Sequence, residues 1–258
     1  MKILSGLENK ISDAVVMSGR CMRHSFRSID TLITVAIMPI MMMVMFVYIF
    51  GGAINTGAVK YVDYIVPGII LMCIMSGAAY EALRINNDLT KGIFDRFRTM
   101  PIAKSSILGG HILTSVVFNA VSSLIIMLFA LLIGFRSDAD ILKWLLIIGI
   151  LLLFTLAMTW ISAFFGLLAH SAEGAGVFSY ILLFMLFISS AFTPTQSMNS
   201  AVRAFADNQP MTPIIEAVRS LMLNEPVGHN VLTAILWCVG IIIVAFAASM
   251  QIYKHKTA

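Results

Sequence analysis

The side chains able to do chemistry are few and scattered in this sequence. The histidines are His24, His111, His170, His229 and His255, and the cysteines are Cys21, Cys73 and Cys238. No cysteine pair has metal-ligand spacing, and an odd count argues against a disulfide framework. Only His111 falls well inside an apolar stretch, where its plain reading is a polar contact between helices. A P-loop needs Gly-x-x-x-x-Gly-Lys-[Ser/Thr] to cradle phosphates, and no Gly-Lys pair occurs. His-Glu-x-x-His and Gly-x-Ser-x-Gly are also missing. No catalytic residue, metal ligand or cofactor site is therefore assigned to this chain. Charge is dense only in the segment 84–104, where Arg84, Asp88, Lys91, Asp95, Arg96, Arg98 and Lys104 interleave with Ile93, Phe94, Phe97, Met100 and Ile102. Aromatic anchors beside arginines make the composition of an interface hot spot. Pro101 would end a short helix there, and a new helix can start after Ala103. On spacing alone, a docking surface and a basic loop whose apolar residues dip into lipid headgroups fit equally well.

The elements that hold this loop follow from composition. Of 258 residues, 59% are hydrophobic and only 12% charged, roughly half the charged share of an ordinary soluble domain. A soluble enzyme, a disordered chain and a secreted disulfide scaffold are excluded. The sequence has six long stretches free of Asp, Glu, Lys and Arg. About 20 residues of helix cross a hydrocarbon core, and barrel strands would alternate where these runs are continuously apolar. The reading is an all-α polytopic membrane protein with helices near 31–51, 64–84, 106–134, 142–168, 174–192 and 231–252. One side of the layout receives twelve Lys and Arg and the other five, which puts both termini in the cytoplasm of a plasma membrane. The net charge of +4 then reflects sidedness rather than a nucleic-acid partner. Tyr48, Tyr61, Tyr64 and Trp144 lie near the outer boundary, as an aromatic belt would. Before the first span there is no uninterrupted apolar core of a signal peptide. Instead, Leu7, Ile11, Val15, Met22 and Phe26 recur among Lys10, Arg20, Arg23 and Arg27, so 5–28 is expected to be an interfacial amphipathic helix.

The outer segment 193–230 is too polar to span and long for a plain loop. Pro194, Pro210, Pro213 and Pro226 punctuate it, and 201–206 and 214–223 each read as a short helix. In the second, Ile214, Ala217, Val218, Leu221 and Met222 share a face, while Glu216 and Arg219 lie near each other. The arrangement suggests a re-entrant hairpin, which survives at membrane depth only when covered by protein or lining a wet cavity. It is a candidate outer gate, with Pro194, Gln209, Pro210, Pro213, Glu216 and Arg219 as its residues. Five of the eight residues 38–45 are Met, and lipid-facing packing accounts for them better than a substrate path. The spans are nearly bare of charge. Glu81 can face Arg84 one turn on, and Glu173 suits the start of the fifth helix. Without a central Asp, Glu or Lys, an ion gradient has no handle. The energy for transport is expected to enter from another protein, which favours loop 84–104 as its docking site.

These residues bring a family into view. The run Gly92-Ile-Phe-Asp-Arg-Phe-Arg-Thr-Met-Pro-Ile-Ala-Lys-Ser-Ser-Ile-Leu-Gly-Gly resembles a segment of the ABC-2 type transporter permeases. The runs Ser190-Ala-Phe-Thr-Pro-Thr-Gln-Ser-Met and Asn208-Gln-Pro-Met-Thr-Pro-Ile-Ile-Glu-Ala-Val-Arg-Ser-Leu are similar to that family's hairpin, particularly in its bacterial drug-resistance branch. The likeness extends over the whole chain, as one ABC-2 transmembrane domain, 1–258. It departs where relatives place a Gly after the hairpin; here Leu223-Asn-Glu-Pro follows. The resemblance implies a permease subunit without its own ATPase site. A second permease copy, in a homodimer or heterodimer, and two copies of a separate ABC ATPase binding ATP and Mg would complete the exporter. Residues 92–103 would be the coupling helix, with Asp95, Arg96 and Arg98 as polar contacts and Phe94, Phe97 and Met100 as anchors ahead of Pro101. Glu81 and Arg84 would brace its entry, and 193–223 would be the outer hairpin. The implied cargo is a hydrophobic drug, antibiotic-like or peptide-like compound, with a lipid-linked glycan or wall polymer as the alternative.

Overall fold

A computed structural model describes residues 33–93 except 55 and 58, residues 104–257, and the isolated positions Gly19 and Met22. The interfacial helix expected at 5–28 and residues 94–103 of the charged loop lie outside the described residues, apart from those two positions. Among the described residues there are eight helices and no strand. The first, α1, joins a π-helical stretch Ile33–Ile37, an α-helical stretch Met38–Met45 and a second π-helical stretch Phe46–Phe50. Then follow α2 Tyr61–Thr90, α3 Lys104–Leu132, α4 Ile141–Leu168 and α5 Ala172–Phe187. A 3-10 turn at Thr195–Ser197 leads to α6 Ser200–Asn208, α7 Met211–Met222 and α8 Asn230–Thr257.

Local chemistry sets these boundaries. The Asp140 carboxylate accepts from the Lys143 amide at 2.8 Å and opens α4. Ser171 accepts from the Gly174 amide and opens α5. Each satisfies a donor that a helix start leaves without an intrahelical partner. Gly134, at φ +107°, ends α3, and the Phe135 amide reaches back to the Ala130 carbonyl at 3.0 Å. The same closure ends α7 without a glycine. Asn224 takes φ +58°, and the Glu225 amide bonds the Ser220 carbonyl at 2.8 Å. Asn enters the left-handed region more readily than other side chains, so the missing Gly after the hairpin is replaced in kind. Pro39 cannot bond the Val35 carbonyl four residues back. The Cys73 thiol donates to that carbonyl instead, at 3.1 Å, and ties α1 to α2.

Helix α2 is the central element. In its most apolar stretch 89% of residues are buried within the protein, against 17% for α8. It packs on α1, α3, α4, α5 and α7. Two glycines permit the closest approaches. A Cβ at Gly68 would lie 2.7 Å from the Ala191 carbonyl oxygen, and one at Gly166 of α4 would lie 2.6 Å from that of Ala82. The peripheral helices show large apolar side chains outward, including Leu132, Ile141, Val177, Tyr180 and Val244. Such faces call for an apolar surrounding rather than water. Four helices (α2, α3, α4 and α8) are long and apolar enough to cross a membrane, and Val35–Phe50 and Ala172–Phe187 are shorter apolar helices.

Three expected boundaries change. The helix expected at 64–84 runs from Tyr61 to Thr90 and is stopped by Gly92 at φ +67°. Residues 84–90 are thus its last turns, not loop. The helix expected at 174–192 ends at Phe187, because the Ser189 hydroxyl takes the Leu186 carbonyl and accepts from the Ala191 amide, drawing the chain into a turn. The last helix extends beyond the expected 231–252 to Asn230–Thr257.

Candidate functional site

Two polar constructions sit at opposite ends of α2. At the Tyr61 end, α6 and α7 form the hairpin expected from the proline spacing. Pro194 precedes the 3-10 turn, and its carbonyl accepts from the Ser197 amide and hydroxyl at 3.1 and 2.7 Å. Pro210 caps α7, and Pro213 falls in its first turn, where a missing N–H costs no intrahelical bond. Gln209, between the two helices, donates its amide to the Met185 and Ile188 carbonyls at 2.8 and 2.5 Å, filling acceptors at the end of α5. The Thr212 hydroxyl donates to the Ala206 carbonyl at 2.6 Å and closes the turn between α6 and α7.

Arg219 is the keystone, 4% exposed. Its Nε donates to the Tyr64 carbonyl at 3.0 Å, Nη2 to the Ser190 carbonyl at 2.6 Å and Nη1 to Glu216 Oε1 at 2.5 Å. The guanidinium carbon lies 3.6 Å from the centre of the Tyr64 ring. One side chain thereby joins α7, α2 and the 188–194 segment, using the planar fork that distinguishes arginine from lysine. Tyr64 and Tyr61 add hydroxyl donations to the Ser190 and Phe192 carbonyls at 3.0 and 2.9 Å. Asp63 accepts from the Arg136 amide beyond α3, and Ser137 donates to the Met222 carbonyl at the end of α7. A cavity of about 580 Å³ opens between this hairpin and α8. Thr195, Asp207, Asn208, Thr212 and Glu216 make much of its wall polar, with Trp237 beside them.

At the Thr90 end, positions 81, 84 and 88 share one face of α2. Glu81, 3% exposed, turns one oxygen to Arg84 Nη1 at 3.5 Å and the other to His111 Nδ1 at 2.6 Å. The other ring nitrogen of His111 faces Asp88 at 3.3 Å. His111 sits in the second turn of α3, so the cluster ties the two helices that flank the charged loop. Each carboxylate takes a different ring nitrogen, and among the described residues no group of three such side chains converges on a metal position. Asn86 donates to the Gly166 and Ala169 carbonyls at 3.2 and 2.7 Å, holding the end of α4.

The structure thus brings Gln209, Glu216 and Arg219 into one network with Pro210 and Pro213 framing it, and it pairs Glu81 with Arg84 as expected. Phe94, Asp95, Arg96, Phe97, Arg98, Met100 and Pro101 lie outside the described residues. Sequence reasoning passed over Tyr61 and Tyr64 as belt residues and Asp88 as a loop charge. The spacing of Glu81, Arg84 and Asp88 on one helical face was the signal for the second cluster. It is visible only once α2 is extended beyond residue 84.

Residues 13–223, which include both polar constructions, match the ABC-2 type transporter family. The chain belongs to that family. It is 30% identical over 228 residues to a daunorubicin resistance ABC transporter permease protein of Streptomyces coeruleorubidus, covering 88% of this chain and 81% of that protein. It is 23% identical over 238 residues to a probable doxorubicin resistance ABC transporter permease protein of Mycobacterium tuberculosis, covering 91% of this chain and 85% of that one. As an ABC-2 member the protein is an integral membrane subunit of an ABC transporter, a complex that includes an ATPase partner. The outward apolar side chains of α3, α4, α5 and α8 agree with a lipid environment.

Proposed function

We propose that this chain is the permease subunit of an exporter for a hydrophobic drug, antibiotic-like or peptide-like compound. Energy comes from two copies of a separate ATPase that bind ATP and Mg and dock on residues 92–103. The observation that carries this reading is the 30% identity to a drug-resistance permease along 88% of the chain. In this reading α1 and α5 are spans as well, giving six, with both termini in the cytoplasm of a bacterial plasma membrane. Each of the two shorter helices has 16 residues and rises about 24 Å, less than the roughly 30 Å hydrocarbon core. The turn after Phe187 and the hairpin that follows complete the outer side. A second permease copy makes the other half of the pathway.

The hairpin then acts as the outer gate. Its contacts are specific and few, so it has one well-defined closed arrangement, and the polar cavity beside it gives water a place when it opens. On the inner side, Arg96, Arg98 and Asp95 supply polar contacts to the ATPase, with Phe94, Phe97 and Met100 as apolar anchors. Glu81 and Arg84 brace the entry to that segment.

The test is a double charge reversal, Arg96→Glu with Arg98→Glu. Membrane insertion should persist, while co-purification of the ATPase and export of daunorubicin from reconstituted vesicles should both be lost. Retained export by this variant would overturn the docking assignment. A panel that includes a lipid-linked glycan separates drug export from polymer export.

A further inference from the structure

The Glu81–His111–Asp88 cluster contains a proton-counting constraint. A neutral imidazole has one N–H donor and one bare nitrogen, and an ionised carboxylate only accepts. Here both ring nitrogens face carboxylate oxygens, Nδ1 at 2.6 Å and Nε2 at 3.3 Å. With a neutral ring, one nitrogen lone pair would point at a carboxylate oxygen in a site where His111 is 1% exposed. Buried charges are tolerated when paired and hydrogen-bonded. With the ring doubly protonated, Glu81 and Asp88 balance Arg84 and His111, and both short contacts become charge-assisted hydrogen bonds.

We propose that His111 is held as an imidazolium and acts as a two-headed positioning residue, pinning the start of α3 to the last turns of α2 across the charged loop. This deepens the coupling role and rests on it. Glu81 and Asp88 are two turns apart on α2, so one ring spanning both fixes the rotation of α3 as well as its distance. Among the described residues, the charged groups turned toward the ring are Glu81 and Asp88, with Arg84 acting through Glu81. The neighbouring apolar cluster draws Leu108 and Ile112 from α3, Ile85 from α2, Ala163 and Leu167 from α4, and Tyr253 from α8. Removal of the extra proton leaves the ring with one donor for two carboxylates, and one tether between the helices is lost.

The permease labelled with ¹⁵N-histidine and held in lipid vesicles gives the direct readout. At about pH 7.5 an unperturbed histidine is mostly neutral, so the signals that vanish in His111→Gln identify this ring. Two protonated nitrogens are expected in the wild type. Asp88→Asn supplies an amide donor to Nε2, and one ring nitrogen should then lose its proton. That change assigns the signal even if His111→Gln fails to fold. A wild-type ring with one bare nitrogen overturns the proposal.

The functional readout is ATP hydrolysis by the reconstituted pair, stimulated by daunorubicin, across pH. Stimulation should fall on the alkaline side in the wild type as the imidazolium loses its proton, and Asp88→Asn should remove that limb. His111→Phe should lose about tenfold of the stimulation, the worth of one charge-assisted hydrogen bond, while the ATPase still co-purifies. The same alkaline fall in Asp88→Asn would count against the tether. If the ATPase fails to bind the wild-type chain, the coupling role fails, and the ring spectrum still decides the protonation state.

Discussion

Arg219→Ala is the sharpest perturbation of the hairpin. The substitution removes three charge-assisted hydrogen bonds and the stacking on Tyr64. Each such bond is worth about 1.5–3 kcal/mol net. The Glu216 arm is discounted, because that side chain is 32% exposed and water screens it once the partner is gone. The Tyr64 carbonyl belongs to α2 and keeps its helical bond, so its loss is partial. The Ser190 carbonyl sits in an irregular buried segment and loses its Nη2 donor. Taken together, the closed hairpin should lose about 3 kcal/mol, within the range for breaking a buried charged network. At 1.4 kcal/mol per tenfold, opening becomes on the order of 100-fold more frequent. Amide hydrogen exchange of 188–194 and 211–222 in lipid reads this opening directly. Arg203→Ala is the internal control. Its pair with Asp207 is 48% and 42% exposed, and exposed pairs contribute about 0–1 kcal/mol, so exchange should rise by less than about fivefold. If Arg219→Ala retains the helical content and accelerates exchange no more than Arg203→Ala does, the keystone assignment is wrong.

Two other variants test the packing around α2. Gly166→Ala places a Cβ 2.6 Å from the Ala82 carbonyl oxygen, so α2 and α4 must separate, costing about 1–3 kcal/mol and lowering the thermal midpoint in detergent. Gly149→Ala, with nothing within 4 Å of the added Cβ, should instead gain about 0.5–1 kcal/mol. Asn86→Ala strips two donors from the end of α4 and should lower the same midpoint by about 1–3 kcal/mol in stability. Asn86→Asp, which offers no donor, should not restore it.

The elements were legible because apolar runs and helix breakers carry most of their boundaries. Asp140, Ser171, Gly92 and Gly134 stand where helices start and stop. The proline spacing marked the hairpin, and the i, i+3 relation marked the Glu216–Arg219 pair. What the sequence did not disclose was partnership between distant carbonyls and side chains. Arg219 reaches Tyr64 and Ser190 through backbone oxygens, which carry no residue-type signal. The length of α2 was misjudged for a related reason. Charged residues at 84 and 88 look like loop when counted against hydropathy, yet each has a buried or half-buried partner across the bundle. Asn224 shows a third limit: a Gly position in a pattern stands for a backbone angle, which Asn can also supply.

The two polar constructions share α2 as their common member, and this constrains how the molecule can move. Tyr64 and Glu81 are 17 residues apart on one helix, roughly 26 Å along its axis. Between them α2 is enclosed by neighbours on nearly every side, and Gly68 and Gly77 leave no clearance for a side chain at the crossings with Ala191 and Asn119. A close-packed helix cannot bend locally without opening voids along its contacts. Displacement of the Thr90 end must therefore either carry α2 as a body, straining Arg219 and Tyr61 at the far end, or slide neighbours past it at the glycine crossings. The first route breaks specific hydrogen bonds at the hairpin; the second leaves them intact and repacks Gly77 and Gly166. Hydrogen exchange at 188–194, compared with and without ATP in the assembled complex, distinguishes them. Faster exchange there on ATP binding signifies the first route, and unchanged exchange the second.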